Sequence, residues 1–152
     1  MTTEQEVLQL REELEYYKSI VFNMSSPIIP SIVPKTIMVP VAGYIYRERF
    51  NNIETHVLSY IAEHREVENV IFDYTGVSTD DVSNFDFNEL AIAISSLNSS
   101  MKLMGMRPIY VGFHPKLIQE IVRAGVHVEI ETYQSFRSAL QGLLHESNGK
   151  LK

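Results

Sequence analysis

The 152-residue chain contains no cysteine and no tryptophan. Without a thiol there is no disulfide framework, no thiolate nucleophile and no sulfur-ligated metal site. Basic residues are scarce as well: 13 Lys and Arg stand against 19 Asp and Glu, for a formal net charge of −6. They are also scattered, whereas binding a phosphate backbone takes clustered Lys and Arg, so no nucleic-acid partner is expected. No apolar run approaches the roughly 20 residues that span a bilayer. The polar, acidic start (Thr2, Thr3, Glu4, Glu6) is unlike the basic n-region of a signal peptide. No membrane partner is expected, and the expected compartment is the cytoplasm. The seven glycines are dispersed, with no phosphate loop, dinucleotide fingerprint or G-x-S-x-G elbow. Five histidines (56, 64, 114, 127 and 145) lack the i, i+4 spacing of a helical metal pair. Neither a cofactor nor a metal is expected.

What is present is ordinary globular material, 45% apolar and 21% charged, in a length that closes one hydrophobic core. Residues 1–24 form a separate N-terminal helical segment. Thr3 with Glu6 makes a capping box, and Val7, Leu10, Leu14, Tyr17, Val21 and Met24 then alternate spacings of three and four. That is the a/d pattern of a coiled-coil seam, with Glu12, Glu13, Glu15 and Lys18 on the remaining surface. The stripe suits either packing on its own domain or self-association. Its narrowness and its position ahead of the domain favour a homodimer, to which the domain also contributes because the seam is under three heptads.

Ser25-Ser26-Pro27 ends this helix. Residues 28–33 and 37–41 read as two short strands around Pro34-Lys35-Thr36, and Pro30 and Pro40 require edges or bulges. Helical periodicity covers residues 46–64 and 86–101. Residues 69–74 are apolar on both faces up to Asp73, as in a buried central strand. A further buried strand is expected at 108–111, a helix opening at Pro115 that uses Leu117, Ile118, Ile121 and Val122, and a last strand at 126–130. A final helix is marked by Tyr133, Phe136, Leu140 and Leu144, followed by a flexible tail at 146–152. Alternating strands and helices mean an α/β domain over 25–145, with a mostly parallel sheet of four to five strands and an antiparallel N-terminal pair.

The one concentration of candidate chemistry is acidic: Asp73, Asp80, Asp81 and Asp86, at the carboxyl edge of the sheet where ligands of such folds meet the loops. A phospho-accepting receiver domain would also need an acidic pair after its first strand and a lysine after a late one. Pro40-Val41-Ala42-Gly43 and Glu131-Thr132 supply neither. Asp86, with Glu89 three residues on, or else Ser83, caps the following helix. Capping does not explain a connection that exceeds the usual two to six or so residues, so this loop is the candidate interaction site.

Several segments together resemble the STAS domain of stressosome proteins of the RsbR type. They are Ser25-Ser26-Pro27-Ile28-Ile29-Pro30, Met38-Val39-Pro40-Val41-Ala42-Gly43, Asp73-Tyr74-Thr75-Gly76-Val77, Lys102-Leu103-Met104-Gly105 and Gly112-Phe113-His114-Pro115-Lys116-Leu117. The resemblance covers about residues 25–144 in order. It implies a STAS (SpoIIAA-like) fold and no catalysis. It also implies assembly with other R-type and S-type STAS proteins, which hold a serine/threonine kinase of the anti-sigma type. R-type proteins carry a sensory domain joined to STAS by a helix; here only the helix is expected. The family's phosphorylatable threonines follow an aspartate at the start of the second helix and precede the glycine of the G-x-R-P segment. The latter position is Val111. For the former, counting forward from Gly76 reaches Asp81-Val82 and counting back from Gly105 reaches Asp86-Phe87, so neither count meets a hydroxyl. The resemblance therefore implies a scaffold without the usual threonine switch, with Asp80 and Asp81 as standing negative charge. The alternatives are an anti-sigma-factor antagonist phosphorylated on Ser83 or Thr79, and a small-molecule or nucleotide binder using the acidic loop.

Overall fold

In the computed structural model, residues 2–24, 26–78, 80–82, 87–123 and 129–150 are described. The elements run α1 (Thr2–Met24), β1 (Ile29–Pro30), β2 (Thr36–Ala42), α2 (Arg47–Glu63) and β3 (Asn69–Gly76). A short 3₁₀ turn (Asp80–Val82) then leads to α3 (Phe87–Leu103), β4 (Arg107–Val111), α4 (Pro115–Arg123), β5 (Glu131–Tyr133) and α5 (Phe136–Lys150). The five strands lie in the order β1-β2-β3-β4-β5, with β1 antiparallel to β2 and every other pair parallel.

Both faces of this sheet are covered, which is why β3 is apolar almost throughout. Val70, Phe72 and Tyr74 share one cluster with Phe50, Ile53, Val57 and Ile61 of α2 and with Leu90, Ile94, Leu97 and Met101 of α3. Leu117 of α4 joins that same face. Ile71, Ile109 and Val111 point the other way, onto Ala139 and Leu143 of α5. The three crossover helices thus lie on one side and α5 alone on the other. The strand order never reverses, so the sheet lacks the topological switch point at which doubly wound folds open a ligand crevice.

The prolines act as their chemistry requires. Pro30 sits in the edge strand β1, and Pro40 lies where the β2–β3 register shifts before Ala42. Other boundaries depart from the sequence pattern. The first strand is two residues long instead of running over 28–33, because Ser31 already turns back to bond the Thr36 carbonyl through its N–H (2.9 Å). The last strand is Glu131–Tyr133, paired with Ile109–Val111. Ile130 precedes it, and 126–128 lie outside the described residues. In α4 only Leu117 is buried among the described apolar side chains, while Ile118 and Val122 face outward. Finally, α5 continues to Lys150, beyond the end expected near His145.

Arg107 explains two of these departures, the late β5 and the long α5. Its guanidinium donates to Glu131 (Nε–Oε2 2.8 Å, Nη2–Oε1 2.5 Å) and to Glu146 (Nη1–Oε2 2.7 Å, Nη2–Oε1 3.0 Å). One planar fork thereby ties β4 to the polar edge strand β5 and to the far turns of α5. These hydrogen bonds, Glu131 first and Glu146 second, raise the Arg107 pKa above its ordinary value.

Candidate interaction site

The carboxyl edge of the sheet begins at Asp73. Its Oδ1 accepts from the Thr75 N–H (2.9 Å) and from Thr75 Oγ1–H (2.5 Å), so the carboxylate closes a local turn and is not presented as a free acid. Gly112, at φ +78°, packs directly onto this turn: a Cβ there would overlap Thr75 Oγ1 and lie 2.6 Å from Thr75 N. Asp73, Thr75 and Gly112 form one lock between the ends of β3 and β4.

The loop after β3 is fastened just as closely. Val77 N–H bonds the Tyr74 carbonyl (3.0 Å). Asp81 Oδ2 accepts from Ser78 N–H (2.8 Å) and Ser78 Oγ–H (3.0 Å), and the Asp81 carbonyl accepts from Ile45 N–H (2.8 Å). Asp81 is half-buried, whereas Asp80 is exposed and its carboxylate has no hydrogen-bond partner among the described residues. The acidic pair of the sequence therefore splits in role: Asp81 holds the loop in shape and Asp80 faces solvent. Thr79, Ser83 and Asp86 lie outside the described residues; Phe87 is the first residue of α3.

Arg49 is the residue that sequence reasoning missed. It is buried, 8% exposed, and its Nη1–H donates to the Tyr44 carbonyl (2.7 Å). Burial lowers the Arg49 pKa, against the smaller opposing influence of Tyr46, Tyr74 and Asp81. The clue lay in the helical period, since Arg49 is four residues before Ile53 on the buried face of α2. Tyr74 continues into a ring stack with Phe113 (centroids 4.8 Å) and Tyr110 (6.3 Å). Burial drives the phenol pKa of both tyrosines upward, so they serve as neutral packing groups rather than proton carriers.

Among the described residues, the Asp73 and Asp81 carboxylates at this edge are engaged in local turns. Among the described residues, no group of three or more His, Asp or Glu side chains is placed to hold a metal ion. The roomier concavities lie elsewhere. One of about 870 Å³ runs between α1 and the start of α2, and another of about 640 Å³ lies by Lys35, Glu68 and Arg107 at the opposite end of the strands. Beside the edge lies a smaller groove of about 330 Å³ lined by Phe113, Pro115, Ile118 and Tyr133.

Neither the family models nor the curated proteins yield a match to this chain. Solved structures do. RsbS of Moorella thermoacetica, in a variant with one serine replaced by glutamate, superposes with a TM-score of 0.62 at 12% identity, over 81% of this chain and 97% of that one. A chain from the molecular architecture of the stressosome, described there as a signal integration and transduction hub, gives 0.54 at 12% identity over 80% and 98%. The overall structure of SLC26A9 gives 0.60 at 13% identity, over 90% of this chain but 27% of that one. The chain has a STAS fold.

On the STAS sheet, the segments quoted from the sequence acquire physical roles. The Asp73-Tyr74-Thr75-Gly76 segment is the β3 half of the lock, and Gly112 is the β4 half. Gly105 ends the turn after α3, with its N–H bonded to the Lys102 carbonyl (2.9 Å). Val111 is fully buried in β4, paired with Asp73 on one side and Tyr133 on the other. The described part of α3 begins at Phe87. Among the described residues, no helix is long and apolar enough to cross a membrane.

Proposed function

We infer that this chain acts by binding: a non-catalytic STAS scaffold of a stressosome-like complex. It joins R-type and S-type STAS proteins, and a serine/threonine kinase of the anti-sigma type, through the loop at 77–86, and self-associates through α1. The observation that carries this reading is the state of the carboxyl edge. Asp73 and Asp81 are spent on internal hydrogen bonds, and the sequential strand order has no topological switch point beside them. An edge so built presents a shaped surface and not a reaction centre. The likeness of the fold to RsbS and to a stressosome chain supports the same reading.

The scaffold works without the family's usual threonine switch. Val111 has no hydroxyl and is buried, and a hydrophobic residue follows the aspartate in either count, Val82 or Phe87. Asp80 supplies fixed negative charge on the loop surface. The test is incubation of the full chain with an anti-sigma-type kinase and ATP, followed by phosphosite mapping and native mass spectrometry with an S-type partner. The expected result is co-assembly with no phosphate on Thr79 or Ser83. Stoichiometric phosphate on either hydroxyl would replace this reading with that of a phosphorylated anti-sigma-factor antagonist.

A further inference from the structure

The concavity of about 870 Å³ between α1 and the start of α2 is built from a different set of residues than the sheet edge and its loop. α1 meets the domain at its base, where the Phe22 ring lies 6.2 Å from that of His56 and buried Ser26 Oγ is hydrogen-bonded to His56 Nδ1 (2.8 Å). Beyond that joint the helix stands off from α2, and the gap is the groove. Leu14 and Val21, each about half exposed, form its aliphatic wall, while Val7 and Leu10 lie outside it. Three rings complete the lining: Tyr17 and Phe22 from α1, and Tyr46 from the N-terminal cap of α2.

Each of these rings is braced by a second ring. Tyr16 lies edge-on to Tyr17 (centroids 5.5 Å), His56 lies by Phe22, and Tyr44 stacks on Tyr46 (6.0 Å). A ring already held in place loses little freedom when a ligand settles on it, so the aromatic wall is pre-organised. The charge of the groove is one-sided. Two carboxylates, Glu15 and Glu48, border it against one ammonium, Lys18, which stands 3.8 Å from Glu15. Glu48 has no ion pair among the described residues. It complements the dipole at the first turn of α2, but that interaction leaves its full charge facing solvent. Asn52, one turn on, adds an amide to the same wall. A net charge of −6 on the whole chain favours the approach of cations over anions.

The size selects a small molecule. Ligand sites of this kind enclose about 300–1,000 Å³ and combine apolar and aromatic walls with a few polar groups. A standard protein interface needs about 20–30 residues a side, more than the last turns of α1 and the first turns of α2 offer. We propose that this groove binds a small, flat aromatic cation, with its body on the rings of Tyr17, Phe22 and Tyr46 and its ammonium on Glu48. The site is separate from the loop at 77–86 and does not depend on the partners inferred for that loop.

Three probes of nearly one shape test this: tryptamine, a cation; tryptophol, its neutral alcohol; and indoleacetate, an anion. The chain has no tryptophan, so the fluorescence anisotropy of the indole reads binding directly as the full chain is titrated in at low salt. Tryptamine is expected to bind with a Kd of about 0.1–1 mM, tryptophol about fivefold more weakly, and indoleacetate more weakly still. Glu48→Gln brings tryptamine down to the level of tryptophol and leaves tryptophol within about twofold, and Glu48→Lys reverses the order of amine and acid. Tyr17→Ala, at an exposed position of α1, weakens amine and alcohol alike by about fivefold. Melting temperatures of the unliganded variants check that the domain is intact. Equal affinity for the three probes, no rise in tryptamine anisotropy up to about 1 mM chain, or tryptamine binding that survives Glu48→Gln and Tyr17→Ala unchanged would overturn the proposal.

Discussion

Gly112→Ala offers the sharpest test of the lock at the carboxyl edge, because the chain contains its own control. Gly105 and Gly112 have nearly the same backbone conformation, φ +79° and +78°, but different surroundings. A Cβ at Gly105 meets nothing within 4 Å, whereas one at Gly112 overlaps Thr75 Oγ1 and comes to 2.6 Å from Thr75 N. Left-handed geometry costs alanine about 1–2 kcal/mol, and the loss of glycine's freedom in the unfolded chain returns about 0.5 kcal/mol. Gly105→Ala is therefore expected to cost about 1 kcal/mol. Gly112→Ala incurs the same strain plus an overlap that no side-chain rotation relieves, since one of the atoms is backbone. Overpacking of this kind adds about 1–3 kcal/mol, and displacing Thr75 also weakens its two bonds to Asp73, at about 1 kcal/mol each. The expected total is about 3–5 kcal/mol, a large part of a typical stability of about 5–15 kcal/mol. Urea unfolding followed by circular dichroism measures it. With a slope near about 2 kcal/mol/M, the midpoint falls by about 0.5 M for Gly105→Ala and by about 1.5 M or more for Gly112→Ala. Midpoints within about 0.3 M of each other would refute the argument that contact with Thr75, rather than backbone strain, requires glycine at 112.

Two further substitutions probe the ion network and the loop. Arg107→Ala removes the fork that holds Glu131 and Glu146; because all three side chains are about a third exposed, the loss is discounted for solvent screening to about 1–2 kcal/mol. Arg107→Lys should recover less than about half of it in the same urea assay, since an ammonium cannot span two carboxylates in a plane. Asp81→Ala should cost about 1 kcal/mol and open the loop to limited proteolysis, through loss of its two bonds to Ser78. Asp80→Ala should leave both the cleavage pattern and the melting temperature unchanged, within about 0.5 kcal/mol.

Much of the fold is legible in the sequence because burial leaves a period. Phe50, Ile53, Val57 and Ile61 mark α2, and Leu90, Ile94, Leu97 and Met101 mark α3, since each repeat is the core-facing stripe of its helix. The uninterrupted run at 70–72 marks β3 because helices cover both of its faces. The misreadings fall where the determining partner is remote in sequence. A strand of Glu131, Thr132 and Tyr133 has no apolar signature; it is defined by pairing with β4 and by Arg107, twenty-four residues away. The extension of α5 past His145 depends on the same arginine, through Glu146. Ile118 and Val122 of α4 look like core and are exposed. At the candidate site, the loop was readable from its length, but the division of labour between Asp80 and Asp81 was not. That division depends on a turn geometry that brings Ser78 back to Asp81.

The brevity of the outermost strands carries one last consequence. β1 is two residues long, includes a proline, and is exposed; β5 is three residues long and begins with a glutamate held in an ion pair. An edge that short and that interrupted offers too few free N–H and C=O groups to template another sheet. Among the described residues, neither edge favours zipping strand to strand, a mode that would extend without limit into fibres. Among the described residues, the helices and loops are left as the surfaces through which contacts, discrete and countable, can form.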